Sequence, residues 1–202
     1  MKKVLIIDSC IRKSESRTKK ILDSYVNVLK NSNSFCFEYI DINDLDVVPL
    51  NNYLLNKRSE LLMDLKNNSS FFKYALQFYN ADYIIVAAPF WDMSIPAKLK
   101  TYFENISVAG ITFQVNQDGD CIGCCKAKKM IYITTRGMNI PDDDIMEQGG
   151  TYLRALSKFL GINEFEMLST YGLDMCSEEV LKNRLYALEL MAINSAKKLL
   201  YE

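Results

Sequence analysis

The stretch from Tyr83 to Lys100 constrains the fold of this chain more than any other. Tyr83-Ile84-Ile85-Val86-Ala87-Ala88 carries no charged residue, stops at Pro89, passes into Phe90-Trp91 and restarts as a helix around Pro96. A strand without a polar face belongs inside a parallel sheet covered on both sides. Such a strand delivers the loop that follows it to the carboxyl edge of the sheet. Two aromatics at that edge, one of them the only Trp, suit a flat heteroaromatic ligand. The same pair also fits plain core packing, so the decision passes to the rest of the chain.

Four further segments read as strands. Lys3–Asp8 (KVLIID) is buried, Phe35–Ile42 carries Glu38 and Asp41 and belongs near an edge, Lys129–Thr134 is buried, and Glu164–Thr170 is partly polar and again suits an edge. Between them lie helical patterns. Ile21, Tyr25, Val28 and Leu29 share one face; residues 54–79 are helical with a break at Asn67-Asn68-Ser69-Ser70; Leu99, Tyr102, Phe103 and Ile106 form a stripe. Gly149–Leu160 and a last helix starting near Ser177 complete the alternation, with a short turn-containing excursion at Gly110–Gly119. Five alternations of strand and helix predict an α/β fold with a five-stranded parallel sheet, right-handed crossovers and helices on both faces. The flavodoxin-like order 2-1-3-4-5 places its ligand crevice between strands one and three.

The loop that faces Phe90-Trp91 across that crevice is Ser9-Cys10-Ile11-Arg12-Lys13-Ser14-Glu15-Ser16-Arg17-Thr18. Strand, hydroxyl-rich loop and helix N-terminus make an anion site from unpaired N–H groups and the positive end of the helix dipole. Simple N-capping by Ser14 or Ser16 explains the same hydroxyls. No glycine-rich dinucleotide or P-loop fingerprint is present.

Composition removes several classes of function. At 202 residues the chain is expected to be one domain, 1–202, with 49% apolar and 24% charged residues. A net charge of −1 offers no field for nucleic acid or an anionic membrane. The apolar run Val4–Ile7 is too short for a signal peptide or membrane span, so a cytoplasmic location is expected. There is no His, which removes Ser/His and Cys/His triads and His-ligated metals. Chemistry then falls to a borrowed cofactor.

Four segments carry a resemblance: KVLIIDSC…SRT, AAPFWDMSIPAKLKTYFE, the VAGITFQ that follows, and KKMIYITTRG. With them the chain resembles the FMN-dependent azoreductases and the related NAD(P)H–quinone oxidoreductases of the flavodoxin-like fold. The resemblance implies a non-covalent FMN, NADH or NADPH as hydride donor, ping-pong transfer to quinones, azo or nitro compounds, and a homodimer with its active sites at the interface. Carried over by position, Cys10, Ser16, Arg17 and Thr18 hold the phosphate. Phe90, Trp91, Asp92 and Met93 wrap the isoalloxazine, and Thr135, Arg136, Gly137 and Met138 reach its pyrimidine edge through backbone N–H groups. Three positions depart from the family: Cys10 stands for Ser or Pro, Asp92 for Asn, and Met138 for a second glycine. An inward-pointing Asp92 carboxylate is expected to lower the flavin potential.

Two alternatives remain at this stage. A flavodoxin-like electron carrier without its own NAD(P)H activity has the same fold. The run Cys121-Ile-Gly-Cys124-Cys125 supplies three thiols of the kind that hold Zn²⁺ or an iron–sulfur cluster, and so allows an iron–sulfur flavoprotein. Three ligands are one short of the usual set, and reduced thiols in a hairpin explain the run without a metal; no metal site is expected.

Overall fold

A computed structural model of the chain describes residues 1–64 and 69–201. Among the described residues there are seven strands, β1 (Lys2–Asp8), β2 (Phe35–Asp41), β3 (Tyr83–Ala87), β4 (Phe113–Val115), β5 (Cys121–Gly123), β6 (Lys129–Thr135) and β7 (Glu164–Thr170), and six α-helices. The helices are α1 (Arg17–Lys30), α2 (Asn52–Met63), α3 (Lys73–Asn80), α4 (Ala97–Ile106), α5 (Gln148–Phe159) and α6 (Glu178–Leu199). Five strands form one parallel sheet in the order β2-β1-β3-β6-β7. Counting only the strands of that sheet, this is 2-1-3-4-5, the flavodoxin-like order expected from the sequence. The edge positions fall to β2 and β7, the two strands of the sheet that carry carboxylates in their interior, Glu38 and Glu166.

Alternation along each strand sorts the core into two layers. Val4 and Ile6 of β1, Tyr83, Ile85 and Ala87 of β3, and Ile131 and Ile133 of β6 pack under α1 and α6 with Ile21, Leu22, Tyr25, Leu188 and Ala192. Their neighbours Leu5, Ile7, Ile84, Val86, Met130 and Tyr132 face the other way, onto Phe78, Leu99, Tyr102, Phe103 and Leu153 of α3, α4 and α5. Because the side-chain period of a strand is two, one apolar run serves both layers. Among the described residues, no helix is long and apolar enough to cross a membrane.

Two elements differ in detail from the sequence reading. Pro96 is the N-cap of α4 rather than a residue of its first turn, with φ −55° and ψ 138°. In the break within residues 54–79, Asn67 and Asn68 lie outside the described residues, while Ser69 caps a single 3-10 turn at Ser70–Phe72. The excursion is the antiparallel hairpin β4–β5. It docks on the end of α5, where the Cys125 N–H donates to the Leu160 carbonyl at 3.1 Å. That contact requires glycine on both sides: a Cβ on Gly123 would lie 1.9 Å from the Gly161 nitrogen, and Gly161 has φ +86°.

Candidate functional site

At the carboxyl edge of the sheet the chain leaves β1 for α1 on one face and β3 for α4 on the other, each after one further backbone bond to the neighbouring strand. Ser9 N–H donates to the Ala87 carbonyl at 2.8 Å and Ala88 N–H to the Ile133 carbonyl at 3.1 Å, so each loop leaves along its neighbouring strand. Between them lies a cleft of about 360 Å³. Its walls come from the loop after β1 (Ile11, Arg12, Glu15 and Ser16), the start of α1 (Arg17 and Thr18), the loop after β3 (Pro89, Phe90 and Trp91), the end of β6 with Gly137, and Asp174 after β7.

The polar wall is built by capping. Ser16 is the N-cap of α1 and its Oγ accepts the Lys19 N–H at 3.3 Å. The N–H groups of Arg17 and Thr18, at the first two helical positions, have no acceptor within the helix. Both residues line the cleft, which sets the positive end of the helix dipole at its wall. Thr18 Oγ1 lies 2.8 Å from Thr135 Oγ1, tying this N-terminus to β6 across the cleft floor. The loop below is fixed by Asp8, whose carboxylate accepts the Cys10 N–H at 2.9 Å and the Tyr39 hydroxyl.

A tight turn forms the apolar wall. Trp91 and Ser94 exchange both backbone bonds, at 3.0 and 2.8 Å, and the two residues between them, Asp92 and Met93, have φ +48° and +58°. Left-handed backbone at two successive non-glycine residues is the pattern of a type I′ turn, and its strain gathers at functional sites. The turn is held from outside by Gln148 N–H, which donates to the Met93 carbonyl at 2.9 Å. Phe90 is buried beneath it and Trp91 stands 45% exposed at the cleft mouth.

Several residues expected at the site do not reach the cleft. Cys10 is buried behind it: its N–H is taken by Asp8, and its Sγ lies 3.9 Å from the Ala87 carbonyl. Burial, and then the Asp8 carboxylate, push its thiol well above the ordinary range, so it stays protonated. The backbone N–H of Arg136 is likewise spent, on the Thr170 carbonyl at 2.9 Å. The Arg136 side chain is fully buried, with Nη2 on Asp142 and on Ser169 Oγ (3.2 Å) and Nη1 3.5 Å from Glu147. Its guanidinium lies between the rings of Phe90 (5.9 Å) and Tyr171 (5.6 Å). A buried cation supports the turn from behind. Asp92 lines a neighbouring cleft with Ile95, Pro96, Lys100 and Tyr152, and is not among the residues that line the first. Met93 and Met138 are exposed on the rim and do not line the cleft.

Ser16, Arg17, Thr18, Phe90, Trp91, Thr135 and Gly137 do meet there. Asp174 packs on Gly137: a Cβ there would lie 1.8 Å from Asp174 Oδ2 and would displace that carboxylate. Sequence reasoning missed Ile11, Arg12, Glu15, Pro89 and Asp174 as cleft residues. The first four sit inside loops already singled out. Asp174 had one available signal, its place in a loop leaving the same sheet edge as the other three.

The thiol run lies elsewhere. Cys125 meets the last turn of α5, whereas the first turn of α5 holds the aromatic turn, and a helix of 12 residues spans about 18 Å. Cys124 and Cys125 Sγ point to different carbonyls, those of Ile122 and Thr112. Among the described residues, no three His, Cys, Asp or Glu side chains gather as metal ligands would.

The loops around the cleft mix exposed apolar residues with exposed Asp92, Asn139, Asp142 and Asp143. Met93, Met138, Met146, Ile145 (87% exposed) and Met175 (96% exposed) stand out from the loops after β3, β6 and β7.

Known proteins share this architecture. A family model described as flavodoxin-like fold matches residues 2–189. An FMN-dependent NADH:quinone oxidoreductase of Clostridium perfringens is 37% identical, in an alignment covering 98% of this chain and all of that protein. A protein of the same description from Clostridium beijerinckii is 35% identical over 90% of this chain and 92% of its own length. Among solved structures, an FMN-dependent NADH-azoreductase from Bacillus anthracis in complex with FMN superposes with a TM-score of 0.80. It is 25% identical, with 97% of this chain and all of that one covered. A second B. anthracis azoreductase reaches a TM-score of 0.86 at 20% identity, over 98% of this chain and all of that one, a likeness of fold. This chain belongs to the flavodoxin-like fold family, alongside these clostridial oxidoreductases.

Proposed function

We propose that this chain is an FMN-dependent oxidoreductase that takes hydride from NADH and passes electrons to quinones or azo compounds by a ping-pong route, with nitro compounds as a further acceptor class. One observation carries the reading: free helix N–H groups and an aromatic wall face each other across a cleft of about 360 Å³ at the sheet's switch point. That volume is at the small end of ligand pockets, about 300–1,000 Å³, and suits a mononucleotide. The donor set suits it too, with a helix N-terminus and Ser16, Arg17 and Thr18 at one end for a phosphate, and Phe90 and Trp91 at the other for a flat ring.

In this reading residues 1–202 act as one flavin-binding domain. Ser16, Arg17 and Thr18 hold the phosphate, Thr135 and Gly137 line the edge of the ring, and Phe90 and Trp91 pack on its plane. FMN supplies the hydride chemistry, so the missing His is no obstacle. The protein orients the ring, keeps water off its buried side through Phe90, and leaves the other side open to the donor and the acceptor in turn.

A homodimer completes the reading. Met93, Met138, Ile145, Met146 and Met175 are large apolar side chains left exposed on the loops around the cleft, and a second copy covering them would roof the cleft. The test is turnover by the purified protein, with its mass measured by light scattering. NADH oxidation dependent on menadione or an azo dye, by a species of twice the chain mass, supports the proposal. A protein that turns over only with an added reductase is an electron carrier, and the enzyme reading then fails.

A further inference from the structure

The cleft that would take a phosphate is electrically balanced before any ligand arrives. Its lining holds two cations, Arg12 and Arg17, and two carboxylates, Glu15 and Asp174. Asp174 is the one set against the phosphate end. Its Oδ1 lies 2.7 Å from Arg17 Nη1, so the guanidinium best placed to meet a phosphate is already paired.

The backbone that carries this exposed carboxylate is fixed. Its backbone N–H donates to the Gly137 carbonyl at 3.1 Å, the Leu173 N–H to Arg136 (3.2 Å) and the Gly172 N–H to Met138 (2.8 Å). The loop after β7 is thereby stitched to the loop after β6, and the Asp174 carboxylate rests on Gly137 where a side chain would otherwise sit. Only rotation of the side chain can take the charge away.

We propose that Asp174 is a specificity-determining residue that competes with the anionic end of the ligand for Arg17, holding down the preference of the cleft for FMN over riboflavin. The inference rests on the FMN reading and deepens it. A phosphate dianion beside Arg17 must either displace the carboxylate or sit next to a like charge, and both weaken its hold. Riboflavin carries the same ring and ribityl chain without the phosphate, and does not meet that cost. Arg17 and Asp174 are both partly exposed, which makes the effect moderate.

The experiment is titration of flavin-free protein by the quenching of flavin fluorescence, with FMN and with riboflavin, for wild type, Asp174→Asn, Arg17→Met and the double variant. Asp174→Asn is expected to tighten FMN by roughly two- to fivefold and to leave riboflavin within about 1.5-fold, with a smaller gain for FMN in the Arg17→Met background. Riboflavin binding also reports that the variant is folded, and FMN affinity alone decides where riboflavin binds too weakly to titrate. FMN affinity that stays level or falls in Asp174→Asn overturns the inference, as does an equal gain for both flavins. A wild-type protein that binds neither flavin overturns the cofactor reading, and this inference with it.

Discussion

The two loops that face each other across the cleft are built on opposite principles. The loop after β1 is polar and is anchored by charges near the surface: Lys13 pairs with Asp41, Lys19 with Asp8 and Asp23, and Ser16 caps α1. The loop after β3 is anchored by its own backbone, through the Trp91–Ser94 exchange and the Gln148–Met93 bond, and by one fully buried cation beneath it. The first presents donors, and its ion pairs, apart from the buried Asp8 carboxylate, are partly exposed, so salt weakens them. The second presents shape, and its anchor is sealed from water. An anion end that tolerates adjustment opposite a ring end that does not is a sensible division for a ligand whose reactive part is the ring.

The comparison is broken most severely by removing the sealed anchor. Arg136→Met leaves the carboxylates of Glu147 and Asp142 without their cation, and Glu147 is 2% exposed. Loss of one partner from a buried pair costs roughly 3–5 kcal/mol, which urea unfolding will register. A loss below about 1 kcal/mol would mean that the aromatic loop stands without it. Next comes Trp91→Ala. Stacking of a flat base on an aromatic side chain is worth about 1–3 kcal/mol, so FMN should dissociate roughly five- to a hundredfold more readily. The half-exposed Trp91 contributes little to folding, so the unfolding midpoint should hardly move. An equal loss of stability and of flavin affinity would recast it as core.

Smaller effects sharpen the contrast. Ser16→Ala removes the cap of α1 and should cost about 1 kcal/mol of stability. Unlike Trp91→Ala, it should weaken FMN more than riboflavin, as flavin titration will tell. Met93→Gly should act in the opposite sense on stability. It relieves a left-handed backbone with φ +58° and should gain up to about 1 kcal/mol, read as a higher melting temperature. The least demanding check is thiol labelling. Cys36 and Cys121 are exposed and should react first, while Cys10 and Cys125 lag, burial pushing the Cys125 thiol up to about 12.

The fold was legible because each of its strands is marked by composition. Runs without polar residues at 4–7, 83–88 and 130–133 became the three inner strands, and the charged runs at 35–41 and 164–170 became the edges. Both cleft loops were legible for the same reason, since each follows a strand that had to be inner. Side-chain direction was not. Cys10, Arg136 and Asp92 sit next to cleft residues in sequence, yet a one-residue step along an extended or turning backbone reverses the face, and each points away. The Asp92–Met93 turn was hidden because neither residue advertises left-handed backbone as glycine does. Asp174 escaped notice because its partner, Arg17, lies 157 positions away, a contact that only the folded sheet creates.

The central claim is that one cleft joins a phosphate site to an aromatic ring site, and the visible spectrum of the purified protein tests it most directly. Oxidised flavin bands that bleach with NADH under anaerobic conditions, return on adding menadione, and belong to a flavin released by heat as FMN are the result expected. A colourless protein that takes up no added FMN would contradict it.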